Sequence, residues 1–260
     1  MNIDADIVAW LLNYAKIRLA DFSIHLTTLP NSIKLSRLKM AFAGGAIDAS
    51  GTAVSAPGGT HVQTRGLLTG ADAAQLAAFV DALAGKLSGR VDGAFTMDMT
   101  GDTLGNALRA GRGHAVVGMV RGGVSRDLME KLSTNLLNLF GNAKGTVEVA
   151  CLLGIVDSRN GVAAISPLRI KSGAGTLFGG GHVDMLGKRL DITIQSESST
   201  TDFFALDIPI RISGSFDNPS IDSQIGGSAA ATRQMLINNN PTQNLPPELL
   251  TLAERNPCLH

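Results

Sequence analysis

The most constraining feature of this chain is a run of two-sided strand patterns that occupies residues 146–221 and is punctuated by glycine. It ends in Pro209-Ile210-Arg211-Ile212-Ser213-Gly214-Ser215-Phe216-Asp217-Asn218-Pro219. Side chains alternate faces along a strand, so Leu206, Ile208, Ile210 and Ile212 point one way while Asp207, Pro209 and Arg211 point the other. Strands are expected over 146–156, 162–171, 176–185 and 189–195, joined by Asn160-Gly161, Gly173-Ala174-Gly175 and Leu186-Gly187-Lys188. Loops this short force antiparallel neighbours. One face of the resulting sheet is apolar and the other is wet, and what covers the apolar face decides the function.

Upstream, Ile7, Trp10, Leu11 and Tyr14 fall at helical spacing after Asp4 and Asp6, which predicts a short amphipathic helix over 4–14. Strand patterns follow. Phe22, Ile24 and Leu26 alternate with polar residues, then Ile33 and Leu35, and then Leu38, Met40 and Phe42 in the opposite phase, which implies a bulge or turn near Ser36-Arg37. Gly44-Gly45 and Gly58-Gly59 turn the chain into two further strands. A helix is expected over 71–87 with Thr69 as its cap, a strand over 91–100 with Phe95, Met97 and Met99 inward, a brief helix over 103–110 and a strand over 113–121. Ser125 is placed to cap the strongest helical pattern, which continues to Phe140 and closes at Gly141. Beyond Pro219 the composition turns polar, with a helix expected over 228–237, and residues 226–260 read as an appended, partly ordered tail.

Bulk properties exclude several function classes. Lys plus Arg and Asp plus Glu each total 22, so no global field draws in nucleic acid. Charged residues are only 17% and glycine occupies 30 of 260 positions, a composition that suits many short aliphatic strands and tight turns. No window of 18 or more apolar residues is present, and no signal peptide opens the chain. The start at Asn2-Ile3-Asp4-Ala5 already reads as domain interior, which raises the expectation of a piece of a longer protein. Cys151 and Cys258 are either two unrelated thiols or one bond; a bond would close a loop of about 106 residues, for which chain entropy gives roughly 4.7 kcal/mol as an upper guide.

The candidate chemical motifs are all better explained by structure. His25, His61, His114, His182 and His260 are scattered without zinc spacing, so no metal site is expected. Gly123-Val124-Ser125-Arg126-Asp127 lacks the second glycine of a nucleophile elbow. Gly173-Ala174-Gly175 leads into a strand, not the helix that a phosphate cradle needs, and Gly179-Gly180-Gly181 reads as a bulge or close approach. Asp98 and Asp102 are the polar end of a strand and its turn. No catalytic constellation, cofactor site or metal site is expected. The positive signal is the inward set Phe95, Met97, Met99, Val147, Val149, Leu153, Ile155, Leu190, Ile192, Ile194, Leu206, Ile208, Ile210 and Ile212. A closed sandwich core is the alternative, but few helices are available to roof so many strands, and Trp and Tyr occur once each.

Gly161-Val162, Gly181-His182-Val183-Asp184-Met185, the strand from Leu190 to Ile194, and Pro209-Ile210 with Gly214 and Pro219 together resemble the closing pattern of the AsmA family. That bacterial group includes TamB-like proteins and belongs with the bridge-like lipid-transfer proteins. The front segment from Asp4-Ala5-Asp6 to Gly44-Gly45 looks like a preceding repeat of the same family, and Cys151 with Cys258 looks like the cysteine pair of one of its branches. The chain departs from the family pattern in having no N-terminal transmembrane anchor and little of the long β-rich body.

The resemblance implies a mainly β fold, an antiparallel curled sheet forming an open U-shaped β-groove, with a few short amphipathic helices. It divides the chain into a β-meander repeat (1–70), a C-terminal groove domain with capping helices (71–225) and the tail (226–260). It further implies a non-enzymatic envelope protein that faces the periplasm from the inner membrane. The inward set would line a path for phospholipid acyl chains in support of outer-membrane lipid homeostasis and assembly. An outer-membrane or envelope protein is the implied partner, and an oxidising compartment favours the disulfide. The competing expectation is a structural scaffold for outer-membrane assembly with a closed β core.

Overall fold

The structure is a computed structural model that describes residues 2–14, 17–78, 83–127, 145–173, 175–196, 209–223 and 242–259. Thirteen strands form one sheet in which each pairs antiparallel with the next in sequence. They are β1 (Ile3–Tyr14), β2 (Ile17–Leu29), β3 (Ser32–Phe42), β4 (Gly45–Ala56), β5 (Gly59–Asp72), β6 (Leu87–Gly101) and β7 (Arg112–Ser125). The second half holds β8 (Thr146–Arg159), β9 (Val162–Ser172), β10 (Gly175–Asp184), β11 (Arg189–Ser196), β12 (Ile210–Ser215) and β13 (Pro219–Ser223). The sheet does not close: β1 and β13 are its two edges. The described helices are short: α1 (Ala73–Ala77), α2 (Leu104–Ala110) and α3 (Pro247–Glu254).

Tight turns set this meander. Ala43-Gly44 and Asn160-Gly161 each place two residues at positive φ between paired strand ends, the twist that matches a right-handed hairpin. Bulges then control which side chains share a face. The phase change expected near Ser36-Arg37 is a register shift between Leu35 and Leu38 inside one continuous strand. A second bulge lies between Val149 and Cys151, and the triple glycine at 179–181 coincides with a third, where a Cβ on Gly181 would meet the backbone of Asp191 and Ile192.

Several expectations are corrected. Residues 4–14 are not a helix but edge strand β1, with Ala5, Ile7 and Ala9 opposite Leu26, Ile24 and Phe22. Of the helix expected over 71–87, the described residues show α1, capped by the Asp72 carboxylate accepting from Ala74 N at 2.8 Å, while Thr69 lies within β5 and residues 79–82 lie outside the described residues. Ser125 ends β7, and nearly all of the helix expected after it lies outside the described residues, as do the helix over 228–237 and the strand positions Leu206 and Ile208.

The end of the tail is also ordered. α3 and the residues after it pack on the sheet, where Leu249, Ala253 and Cys258 form one core cluster with Ala94, Val116, Cys151, Leu153 and Ile155. Cys151 and Cys258 are joined by a disulfide. Polar contacts complete the strap. Buried Asn256 donates to Leu152 O at 2.9 Å and accepts from Cys258 N at 2.9 Å. Gly118 leaves the room this amide occupies. Arg169 donates to the carbonyls of Cys258 and Leu259, Lys171 to that of Pro257, and Arg65 pairs with Glu248 at 2.9 Å.

Candidate functional site

Following the register strand by strand sorts the side chains onto two faces. Ile24 lies opposite Leu38, Leu38 opposite Ala49, Ala49 opposite Gly66 and Gly66 opposite Phe95. Phe95 continues to Ala115 and Val156, and Val156 to Ile165. Ile165 then leads to Gly181, Ile192, Ile212 and Ile221. A parallel row runs through Gly93, Val117, Gly154, Leu168, Gly179, Ile194 and Ile210. The bulge between Leu35 and Leu38 preserves this sorting by keeping both leucines on one face, whereas the bulge between Val149 and Cys151 transfers Leu153 and Ile155 to the other. The result is one apolar face that extends from β1 to β13.

Glycines on this face make space for large neighbours. A Cβ at Gly66 would strike the Phe95 ring, and one at Gly113 or Gly122 would strike the sulfur of Met97 or Met119. The Phe95 and Met97 side chains therefore lie across the adjacent strand, and Met119 folds back along its own. Among the described residues no second sheet covers the face. α1 reaches it at one end, where Ala73 packs with Met119 and Val149. The face is open elsewhere: Ile7 on β1 and Ile33 on β3 are each 48% exposed, and Val117 on the central strand β7 is 39% exposed.

The opposite face is apolar where α3 packs on Ala94, Val116, Cys151, Leu153 and Ile155, and hydrophilic elsewhere along its rows of polar side chains. Its first polar row passes through Asp4, Thr27, Lys34, Thr52, Gln63, Asp98, Arg112 and Arg159. Ion pairs stud it: His25 with Asp4 and Asp6, Lys39 with Asp48, His61 with Asp98, Arg159 with Asp157 and Arg211 with Asp191. The Gln63 amide, and after it His61, holds the Asp98 carboxyl below its ordinary range, and Arg211 does the same for Asp191. A carboxylate with a lowered folded pKa contributes stability that is present above the ordinary value of 3.8 and lost as pH falls through the lower folded value. Chemical denaturation is thus expected to show a falling midpoint below about pH 4, with Asp191→Asn and Asp98→Asn flattening that fall.

The sequence-predicted lining residues divide between the faces. Phe95, Met97, Met99, Val147, Val149, Leu190, Ile192, Ile194, Ile210 and Ile212 fall on the apolar face by register. Val147 and Ile210 meet with Leu177 in one buried cluster, and Val149 joins Met119 in another. Leu153 and Ile155 lie on the opposite face, buried under α3, because the bulge before Cys151 reverses the alternation. Leu206 and Ile208 lie outside the described residues. Further members of the apolar face, including Ile24, Leu38, Val62, Val117, Leu168 and Ile170, carry the same period-2 signal and become readable once the bulges are located. No group of three or more His, Cys, Asp or Glu side chains is placed to hold a metal among the described residues, and no described helix is long and apolar enough to cross a membrane.

No family model and no solved structure matches the chain. It is 26% identical over 237 residues to the AsmA family protein YhjG of Escherichia coli strain K12, an alignment covering 86% of this chain and 34% of that protein. The chain therefore spans about a third of the length of the curated relative it matches. The closing Gly, Val-Asp and Pro-Ile pattern falls on β9 to β13, and the open sheet is the architecture that pattern implied. The chain is thus similar to an AsmA family protein over most of its own length.

Proposed function

We propose that this chain is a non-enzymatic section of a lipid-conducting protein of the bacterial envelope, carrying phospholipid acyl chains along its apolar face while headgroups stay in water. The observation that carries this reading is the continuity of the apolar face across every strand without a second sheet over it among the described residues. Similarity to an AsmA family protein supports an envelope role, and placement at the periplasmic side of the inner membrane, with an anchor elsewhere in the protein, belongs to the proposal.

The physics suits transport without covalent chemistry. Each buried methylene is worth roughly 0.8 kcal/mol, so a fatty chain is held firmly against water. Neighbouring strands present equivalent aliphatic positions about 4.8 Å apart, so the same chain moves from one strand to the next at little net cost. Thirteen strands at that spacing supply on the order of 60 Å of path.

Lipid extraction and mass spectrometry of the purified chain test the reading. Co-purified phospholipid is expected, and Val117→Asp should abolish it. Val117 is half-exposed and sits between Gly93 and Gly154 on the apolar face, so a carboxylate there meets bound tails without breaking a packed core. The folded fraction should be unchanged by circular dichroism. A chain that carries no lipid, or a Val117→Asp variant that unfolds, would instead indicate a closed scaffold.

A further inference from the structure

The polar face is not uniform along the strands. Two rows lie side by side near the rim formed by the β4–β5, β6–β7 and β8–β9 connections. The outer one runs from Lys34 to Arg159 as described, and continues through Val162 and Asp184 to Arg189. The inner one runs through Ser50, Arg65, Thr96, His114 and Asp157, and then Ala164, His182, Asp191 and Ser213.

The carboxylates in these rows are engaged. Asp98 accepts from Gln63 at 2.8 Å and bonds His61 at 2.9 Å. Asp157 accepts two bonds from Arg159, Asp191 accepts two from Arg211, and Asp184 accepts from the amides of Leu186 and Gly187. Several cations are not. Lys34, Arg112 and Arg189 have no ion pair or side-chain hydrogen bond to any described residue. Counted over the two rows, Lys34, Arg65, Arg112, Arg159 and Arg189 stand against Asp98, Asp157, Asp184 and Asp191, so the rim carries a small positive excess although the whole chain is neutral.

Arg112 is the centre of this arrangement. Its strand neighbours in register are Asp98, whose carboxylate feels the Arg112 charge but takes its hydrogen bonds from Gln63 and His61, and Arg159, which pairs with Asp157; Arg112 itself is exposed. It lines a depression of about 630 Å³ together with Lys34, Gln63, Arg65, Thr96 and His114, and the Asp98 carboxylate lies in the same wall. A planar guanidinium beside an ammonium, amide and hydroxyl donors is the donor set that recognises phosphate oxygens.

We propose that this rim binds phosphoryl groups, with Arg112 as the principal contact and Lys34 and Arg189 as flanking ones, so that lipids whose tails lie on the apolar face present anionic headgroups here. The inference rests on the proposed lipid reading for the source of the phosphate, and it adds which rim the headgroups follow and which charge they carry. A free phosphate ester presents the same chemistry.

The test compares the full chain with the variant Lys34→Gln/Arg112→Gln/Arg189→Gln and with the control Lys39→Gln, whose ammonium sits in an ion pair deeper on the same face. Vesicles of phosphatidylcholine alone and with one third phosphatidylglycerol serve as donors, and glycerol phosphate and inorganic phosphate are titrated separately. The wild type and the control should take up the anionic lipid in preference to the neutral one, and the triple variant should lose that preference, roughly tenfold or more at low salt, since each surface cation near an anionic lipid counts appreciably. Neutral-lipid uptake should persist in the variant, which keeps this outcome separate from the reading of the apolar face. If no lipid of either kind is taken up, that reading fails, and saturable glycerol phosphate binding lost on Arg112→Gln would still support the rim as a soluble phosphate site. Equal uptake of both lipids by wild type and variant, or no phosphate binding in the absence of uptake, overturns the proposal.

Discussion

Replacing both Cys151 and Cys258 by alanine is expected to lower the unfolding free energy by about 2–5 kcal/mol, the range found when a native disulfide closes a long loop. The two positions are 107 residues apart, so the bond removes a large share of the unfolded chain's freedom. It also holds α3 against the sheet, and the loss should be local before it is global. Hydrogen exchange should quicken first over residues 245–259 and at the amides of β7 and β8 that α3 shields, while β2 to β4 remain unaffected. Because Cys151 is 1% exposed and Cys258 is fully buried, reductant should cleave the bond in the native chain no faster than this segment opens. Denaturant titration with and without reductant measures the first effect, and thiol labelling against time measures the second. A difference below about 1 kcal/mol would mean that the strap docks equally well without its covalent link.

Leu153→Ala is expected to cost about 2–5 kcal/mol, as for other fully buried leucines in packed surroundings. Leu153 is 0% exposed and sits where β8, Val116 and the helix residues Leu249 and Ala253 converge. Leu38→Ala offers the contrast. Leu38 lies on the apolar face over strands without a packed protein layer described above it, so its truncation should cost no more than the area lost, about 1–2 kcal/mol. Urea midpoints of the two variants decide whether the two faces differ in this way. Equal losses would indicate that the apolar face is packed as tightly as the strap.

These two experiments bear on how far the sequence could be read. The strands from Thr146 onward were legible because apolar and polar residues alternate along most of each strand and the turns carry Asn-Gly and glycine signals. β1 was not, because Val8 and Trp10 project from the wet face and are 71% and 85% exposed, which fills in the pattern and mimics helical spacing at Ile7, Trp10 and Leu11. Leu153 and Ile155 were assigned to the apolar face because the bulge between Val149 and Cys151 has no glycine or proline to announce it. The strap was hidden for a different reason. Leu249, Leu252 and Ala253 do fall at helical spacing, but a helix of eight residues in an Asn- and Pro-rich tail is stabilised by its docking and its disulfide, neither of which is local. The polar rim needed register above all, since Lys34, Arg112 and Arg189 are distant in sequence and become one row only when the strands are aligned.

The central claim, that lipid and not polypeptide covers one whole face of the sheet, is tested most directly by site-specific photocrosslinking in cells. A photoreactive residue placed in turn at Ile24, Leu38, Phe95, Val117, Leu168 and Ile192 samples the apolar face from β2 to β11, while Lys39, Thr52, Thr96 and Thr193 sample the other. Phospholipid adducts at the first set, continuing across successive strands, and none at Lys39 and Thr193, which lie away from the rim, is the predicted pattern; adducts at Thr52 and Thr96 would report headgroups at the rim. Adducts confined to protein at the first set, or lipid labelling indifferent to face, would contradict it.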